Sequence, residues 1–247
     1  MTGTLAIALL AAGVAQVQLR GGEQPPAGAP VAVSAAGVAF GAPGAAPGTL
    51  VSTVIGWDRV KSVGGSLASP AAQWLPIGEE AWRARMRLER GDALAAEPVL
   101  EKLFQTLRGE RGPTAAVVSE GLMRCRIRRA AHVAAVEPWL AYLEATADAS
   151  PSPLHASWAA EAGLPSVIDP GGLAPALPPI WLAWPSVEAY ARSAVWTGVA
   201  AKASGPPSRV AVLARLYHMA AQHEAGEPVQ WTDVASARRF TMVMLTG

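Results

Sequence analysis

A nine-residue string that returns after about 40 positions constrains this chain more than any other feature. Residues 95–103 (AAEPVLEKL) recur as residues 135–143 (AVEPWLAYL), so that Glu97-Pro98 falls on Glu137-Pro138. A period of that length belongs to stacked helical hairpins, each of which buries its apolar face only against its neighbour. The repeat therefore points to an architecture and not to a reaction.

The flanking pattern supplies the rest of two hairpins. Ile77, Ala81, Ala84 and Leu88 share one face of a helix, with Glu79 and Arg83 four apart on its solvated side. Gly91 stops that helix and Asp92 caps the next, in which Ala96, Leu100, Leu103 and Leu107 face inward. A second hairpin opens after Gly112-Pro113. It presents Val118, Gly121, Leu122 and Cys125, then Val133, Val136, Leu140 and Leu143. Pro98 and Pro138 fall inside the second helices, where each removes one backbone donor and is expected to delay the helix start or bend it.

Residues 87–104 (RLERGDALAAEPVLEKLF) resemble the centre of a tetratricopeptide repeat. Gly91-Asp92 matches its turn, Ala96 its small packing residue, and Leu100 and Leu103 the next two packing positions. Arg87 stands where that family carries an aromatic residue, and the spacing is nearer 40 than the family's 34. The resemblance covers residues 77–147 and implies a peptide-holding groove. The matched positions are packing ones, so no ligand-clamp residue is carried over.

Ahead of the helices the period is two. Val17 to Arg20 is extended and stops at Gly21-Gly22, and residues 25–30 read as loop. Val31 and Val33, then Val38 and Phe40, alternate around a turn at Ala36-Gly37. Residues 50–57 (LVSTVIGW) and 59–63 complete four or five short strands. So few short strands suit a small barrel or a curled sheet. LRGGE (19–23), AVSAAGVAF (32–40) and VIGWDRVKSV (54–63) resemble the Sm-like or SH3-like barrels found near the N-terminus of many bacterial envelope proteins, over about 50 residues. The Gly/Ala/Pro-rich insert at 41–48 lengthens one connection beyond that pattern. The expected class is thus α+β: a β module over residues 16–65, a linker at 66–76 and an α-hairpin domain at 77–247.

Residues 5–17 are apolar but too short for a helix that crosses a bilayer, which needs about 20. A signal peptide over residues 1–15, cut after Ala15, is the expectation, although no side chain before Arg20 is positive. The alternative is the hydrophobic first strand or helix of a cytoplasmic protein. Export to the periplasm or beyond agrees with a single cysteine, Cys125, read here as a small core residue. No integral membrane span is expected after removal of the signal.

Residues 150–185 are proline-rich yet carry Trp158, Leu164, Ile168, Leu177, Ile180, Trp181 and Trp184, too apolar for a solvated tether, so an ordered loop is expected. Helices resume at Ser186 and over 207–224, ending at Gly226. Residues 215–227 echo the first helix of a hairpin, whose partner, capped by Thr232, runs to Met244. Phe240, Met242, Val243, Met244 and Leu245 make that last helix apolar where solenoid ends are usually polar. It either tucks against the loop or belongs to a shortened array.

Chemistry is sparse. Net charge is +1 with 16% charged residues, so the broad basic field of a nucleic-acid binder is missing. His132, His155, His218 and His223 have no metal-ligand spacing, HExxH is absent, and neither a GxSxG elbow nor a phosphate-binding glycine loop occurs. No catalytic residue, metal or cofactor is expected. Arg108, Arg111, Arg124, Arg126, Arg128 and Arg129 cluster near one inter-helix turn, where they either meet phosphates and anionic envelope polymers or simply pair with Glu101, Glu110 and Glu120. Trp57-Asp58 reads as a strand end packed under the helices. Trp158, Trp181, Trp184 and Trp196 either plug the concave face of the hairpins or anchor a partner.

The favoured function is a non-enzymatic secreted or periplasmic scaffold that holds a protein or peptide of the cell envelope, with Arg124, Arg128, Trp158, Trp181 and Trp184 as candidate partner-binding residues. The alternative is a cell-envelope enzyme or anionic-polymer-binding factor that gathers Asp58, Asp169 and the arginines in one pocket. Nothing in the pattern specifies an oligomeric state or names the partner.

Overall fold

The computed structural model describes residues 15–43, 51–147, 158–169, 171–177, 194–205, 208–224 and 226–229. The signal-peptide expectation for residues 1–14, most of the 41–48 insert, Trp181, Trp184, the Ser186 cap and the helix expected from Thr232 to Met244 lie outside the described residues.

The architecture is α+β. Five short strands, β1 (Gln16–Leu19), β2 (Pro30–Ser34), β3 (Gly37–Gly41), β4 (Val51–Ile55) and β5 (Val60–Gly64), form two small antiparallel sheets, β1-β5 and β2-β3-β4. Among the described residues they do not close into a barrel. A tight turn, in which Arg59 N–H donates to Gly56 O and Val60 N–H to Trp57 O, swings the chain from one sheet to the other. Period-two alternation turns Val38, Phe40, Ile55, Val60, Val63 and Leu19 into a core shared by both sheets, with Trp57 fully buried at its centre. The β2-β3 hairpin turns one residue earlier than expected: Ser34 pairs with Gly37, leaving Ala35 and Ala36 as its two loop residues.

Residues 66–76 are not a tether. They form a 3-10 turn (Gly65–Leu67) and α1 (Ala68–Ala71), and α2 (Leu75–Glu89) starts before the stretch ends. Leu67, Ala71, Trp74 and Leu75 fall at i, i+4, i+7 and i+8, and all four pack on the β core. Two helical pairs follow: α2 with α3 (Ala93–Thr106), and α4 (Pro113–Arg128) with α5 (His132–Ala145). The inward positions read from the periodicity are buried in both, Ile77 and Val133 being half-buried at the margin.

The two pairs share a corner. At the end of α2, Gly91 has φ +81°, its N–H donates to Leu88 O, and Asp92 N–H reaches back to Arg87 O. The Asp92 carboxylate then accepts from Ala95 N–H at 3.1 Å, capping α3. Thirty-nine positions further on the same wiring recurs: Ala130 N–H donates to Ile127 O, and Ala131 N–H to Arg126 O. Arg87 Nη1 meets Ala95 O and Arg126 Nη1 meets Ala134 O, again with equal offset. The structural interval is thus one residue shorter than the interval between the matching strings. One residue is about 100° of helix rotation. Accordingly Pro98 is exposed on α3 while its string-mate Pro138 is buried on α5, and both helices begin before their prolines rather than after them.

Ala130 holds φ +60°, the one non-glycine residue at positive φ among the described residues. Its Cβ strains against the neighbouring carbonyl where Gly91 has none to strain, at a cost of about 1 kcal/mol. Ala130→Gly is therefore expected to raise the unfolding free energy by roughly 0.5–1 kcal/mol, read as a higher urea midpoint at constant slope. A lower midpoint would show that Ala130 is not left-handed in solution.

The β module is clamped to the helices. Gly78 of α2 lies directly on Trp57, and the Trp57 indole donates to Ser34 O at 2.7 Å. Thr114, in the first turn of α4, accepts from Trp57 N–H at 3.0 Å and donates to Ala36 O at 2.8 Å. Asp58, buried at the same corner, takes Arg85 Nη1 of α2 at 2.8 Å. Burial pushes its carboxyl above the usual carboxylate range, against the opposing pull of Arg85. Trp57-Asp58 is thus a strand-end pair packed under the helices, as expected. Beyond α5 the chain adds α6 (Trp158–Glu161), α7 (Ala194–Ala203) and α8 (Arg209–Glu224). The last of these ends with Gly226 at φ +74° and Glu227 N–H on Gln222 O, the corner already seen after α2 and α4. Among the described residues no helix is long and apolar enough to cross a membrane.

Candidate functional site

The six clustered arginines are mostly engaged. Arg108 pairs with Glu137 at 2.7 Å, Arg126 with Glu101 at 3.1 Å and Arg129 with Glu97 at 2.9 Å. Arg124 binds Glu120 at 2.8 Å, both side chains being nearly buried. The Arg126 and Arg129 pairs bridge α3 to α4, so the cluster braces the stacking of the two hairpins. Arg128 stands apart: it is exposed, with its guanidinium beside the Gly91 corner. A cationic residue there complements the carbonyl ends of two helices.

A different constellation forms where residues 158–169 and 171–177 pack on the helices. Trp158 and Leu164 pack into the core formed by α2, α3 and α4. Val167, Ile168, Leu173, Ala174 and Leu177 pack into the core formed by α4, α5, α7 and α8. The segment thus spans both cores. Arg124 of α4 stacks over the Trp158 ring, 5.7 Å from its centroid, and Arg124 Nη1 donates to Pro165 O at 2.9 Å. Trp139 of α5 donates its indole N–H to Gly172 O at 2.9 Å. Tyr217 of α8 donates its hydroxyl to Ala174 O and accepts from Ala174 N–H, both at 3.1 Å. The two aromatic rings sit against each other with centroids 4.3 Å apart.

Three side chains from three helices therefore read main-chain carbonyls of one segment, in chain order 165, 172, 174. This mode of recognition ignores side-chain identity except for size: Ala174 and Leu177 are fully buried beneath the contact, while Gly171 and Pro175 face solvent. Burial pushes the Tyr217 phenol well above its ordinary range, so it stays protonated and able to donate. Asp169 shapes the entry by accepting from Leu173 N–H at 2.7 Å.

Of the residues singled out from sequence, Arg124 and Trp158 meet at this segment, but as half of an intramolecular contact. Trp158 is buried with its indole N–H unpartnered. Trp181 and Trp184 lie outside the described residues. Trp139 and Tyr217 escaped the sequence reading because an aromatic residue at an inward helix position looks like core and nothing else. Asp58 and Asp169, which the enzyme alternative gathers in one pocket, are engaged separately, one by Arg85 and the other by its own loop. Among the described residues no three His, Cys, Asp or Glu side chains are grouped closely enough to hold a metal ion.

Cys125 is buried on α4, and burial, helped by the charge of Glu97, pushes its thiol up to about 12. Against an ordinary thiol at 9.0 that cuts the thiolate fraction at pH 8 by about a thousandfold. Native protein is expected to resist iodoacetamide at pH 8 and to react fully in denaturant, as followed by mass spectrometry. Native and denatured rates within tenfold of each other would contradict this placement.

No family model matches the chain, and no curated protein and no solved structure matches it either.

Proposed function

We propose that the protein is a non-enzymatic scaffold of the cell envelope, exported to the periplasm or beyond, that holds an extended protein segment against the helices α4, α5 and α8. The carrying observation is the trio Arg124, Trp139 and Tyr217, three side chains that donate to main-chain carbonyls along one path. Side chains that address a backbone suit peptide capture, because every peptide presents the same carbonyls. The apolar run at 5–17 supports export. The recurrent corners at Gly91, Ala130 and Gly226 support a tetratricopeptide-like hairpin array, with its sequence resemblance centred on residues 87–104. The β1-β5 pairing beside a β2-β3-β4 meander supports a small SH3-like module that is wound open rather than closed. Clamped to α2 and α4, that module covers an end of the array that would otherwise expose apolar surface.

The anionic-polymer reading draws little from the arginines, since at least four of the six are held by carboxylates of the chain itself. The test is selection of peptides from a displayed library on the full-length chain. Enrichment of uncharged, extended sequences whose binding changes less than about threefold between 0.05 and 0.5 M salt supports the scaffold. Binding confined to polyanions, with a steep salt dependence, overturns it.

A further inference from the structure

We propose that Gln16 is a modification site: once the leader is cut after Ala15, the new amino terminus closes onto the Gln16 carboxamide and seals the chain as a pyroglutamyl lactam. The proposal rests on the export reading above and adds what becomes of the chain end that export creates. Gly13 and Ala15 are the small residues that suit a cut after position 15, which leaves glutamine as the first residue of the mature chain. The fold starts at the same place. β1 opens with Gln16, paired opposite Gly64 of β5, so no strand residue among the described ones is lost with the leader.

Closure needs a free amine and a free carboxamide on one residue. The Gln16 side chain is exposed and makes no hydrogen bond among the described residues, whereas the carboxamide of Gln18 accepts from Ser62 Oγ at 3.1 Å. The strand opposite leaves room for the ring, since even a Cβ on Gly64 would lie 3.9 Å from Gln16 Cβ, an ordinary contact. In the reaction the unprotonated α-amino nitrogen attacks Cδ of the carboxamide. The N–Cδ bond forms and the Cδ–NH2 bond breaks, and the departing nitrogen takes one proton from the amine and leaves as ammonia. No oxidant, cofactor or second substrate enters. An α-amino group titrates at about pH 8, so part of it is in the attacking form near neutrality.

The lactam changes what the end of β1 presents. The terminal positive charge and the main-chain primary amine disappear, while the lactam keeps one N–H as a donor. β1 is four residues long and meets β5 through the pairs Gln16–Gly64, Val17–Val63, Gln18–Ser62 and Leu19–Val60. Chain ends are where proteolysis concentrates. An exopeptidase that removed two or three residues would strip most of this strand and open the β core, to which Val17, Leu19 and Val63 belong, to water. A lactam offers no amine from which such an enzyme can start.

The test uses the full chain, expressed with residues 1–15 in place. The exported protein is quenched in acid at harvest and its amino-terminal peptide is read by mass spectrometry. The expected peptide begins at Gln16, is lighter than its sequence by one ammonia, and opens to stepwise amino-terminal sequencing only after treatment with pyroglutamyl peptidase. A free amine on Gln16, a lactam that grows in only on storage, or an exported chain that begins at another residue overturns the proposal and leaves export standing. A chain that keeps residues 1–15 and stays in the cytoplasm overturns both. Gln16→Glu supplies a second readout, because a glutamate side chain closes far more slowly. The exported variant keeps its amine, and an aminopeptidase is expected to shorten it at least about tenfold faster than the parent. Equal rates of shortening overturn the protection of β1 by the ring.

Discussion

Gly78→Ala is expected to lower the unfolding free energy by about 3 kcal/mol, measured as a fall in urea midpoint at unchanged slope. Helix propensity alone predicts the reverse, since alanine in a helix interior is favoured over glycine by about 1 kcal/mol. Packing decides the sign. A Cβ on Gly78 would lie 2.4 Å from Trp57 O and 2.8 Å from both the Trp57 carbonyl carbon and its Cβ. Two of those atoms are backbone, and they cannot rotate aside. Relief would have to come from moving α2 off the β module, which loosens the Asp58–Arg85 pair and the Thr114 bridge at the same corner. Gly121→Ala is the control. There the nearest atoms are the methyl ends of Leu88 and Leu100, at 3.2 Å, which can shift, so its loss stays near 1 kcal/mol or less. Stability equal to or above the parent for Gly78→Ala would mean that the helix does not rest on Trp57.

What was legible in the sequence was whatever depends on near neighbours. The inward faces of four helices, the stop at Gly91 and the cap at Asp92 follow from spacing and side-chain type, and the structure has them. The strands were legible from β-branched alternation, though their pairing was not, because β1 meets β5 across 40 or more intervening positions. Residues 66–76 looked like a linker because a helix of four residues is too short to display a period. The matching strings suggested an interval of about 40, whereas the corners recur at 39. Ala130 hid the second corner, since alanine carries no signal for positive φ. At the candidate site, Arg124 and Trp158 were singled out for their chemistry and do meet, but facing inward. Trp139 and Tyr217 could not be distinguished from ordinary core residues, because what sets them apart is a pair of carbonyls 33 and 43 positions away in the chain.

Tyr217→Phe removes one oxygen atom and is expected to destabilise the protein by about 1 to 3 kcal/mol, far more than loss of a solvated hydroxyl. The hydroxyl answers two main-chain groups at once, the N–H and the C=O of Ala174, both buried. The C=O keeps the Leu177 N–H at 2.9 Å when the hydroxyl goes, so the Ala174 N–H is the group left orphaned, at a cost of about 1–3 kcal/mol. The segment has an escape: by leaving the floor it hydrates that group, so the total loss is capped by the free energy of releasing residues 171–177. The cap gives the variant a signature beyond its midpoint. The Leu173 and Ala174 amides should lose protection while those of α5 keep theirs. Trp139→Phe strips the donor from Gly172 O and weakens the same docking, so the double variant should fall short of the summed single losses by at least about 1 kcal/mol. Additive losses, each under about 0.5 kcal/mol, would mean that the two rings act only as packing and that no backbone is being read. The cycle therefore distinguishes a recognition surface from a filled core, two arrangements that bury the same apolar area and differ only in where their polar atoms point.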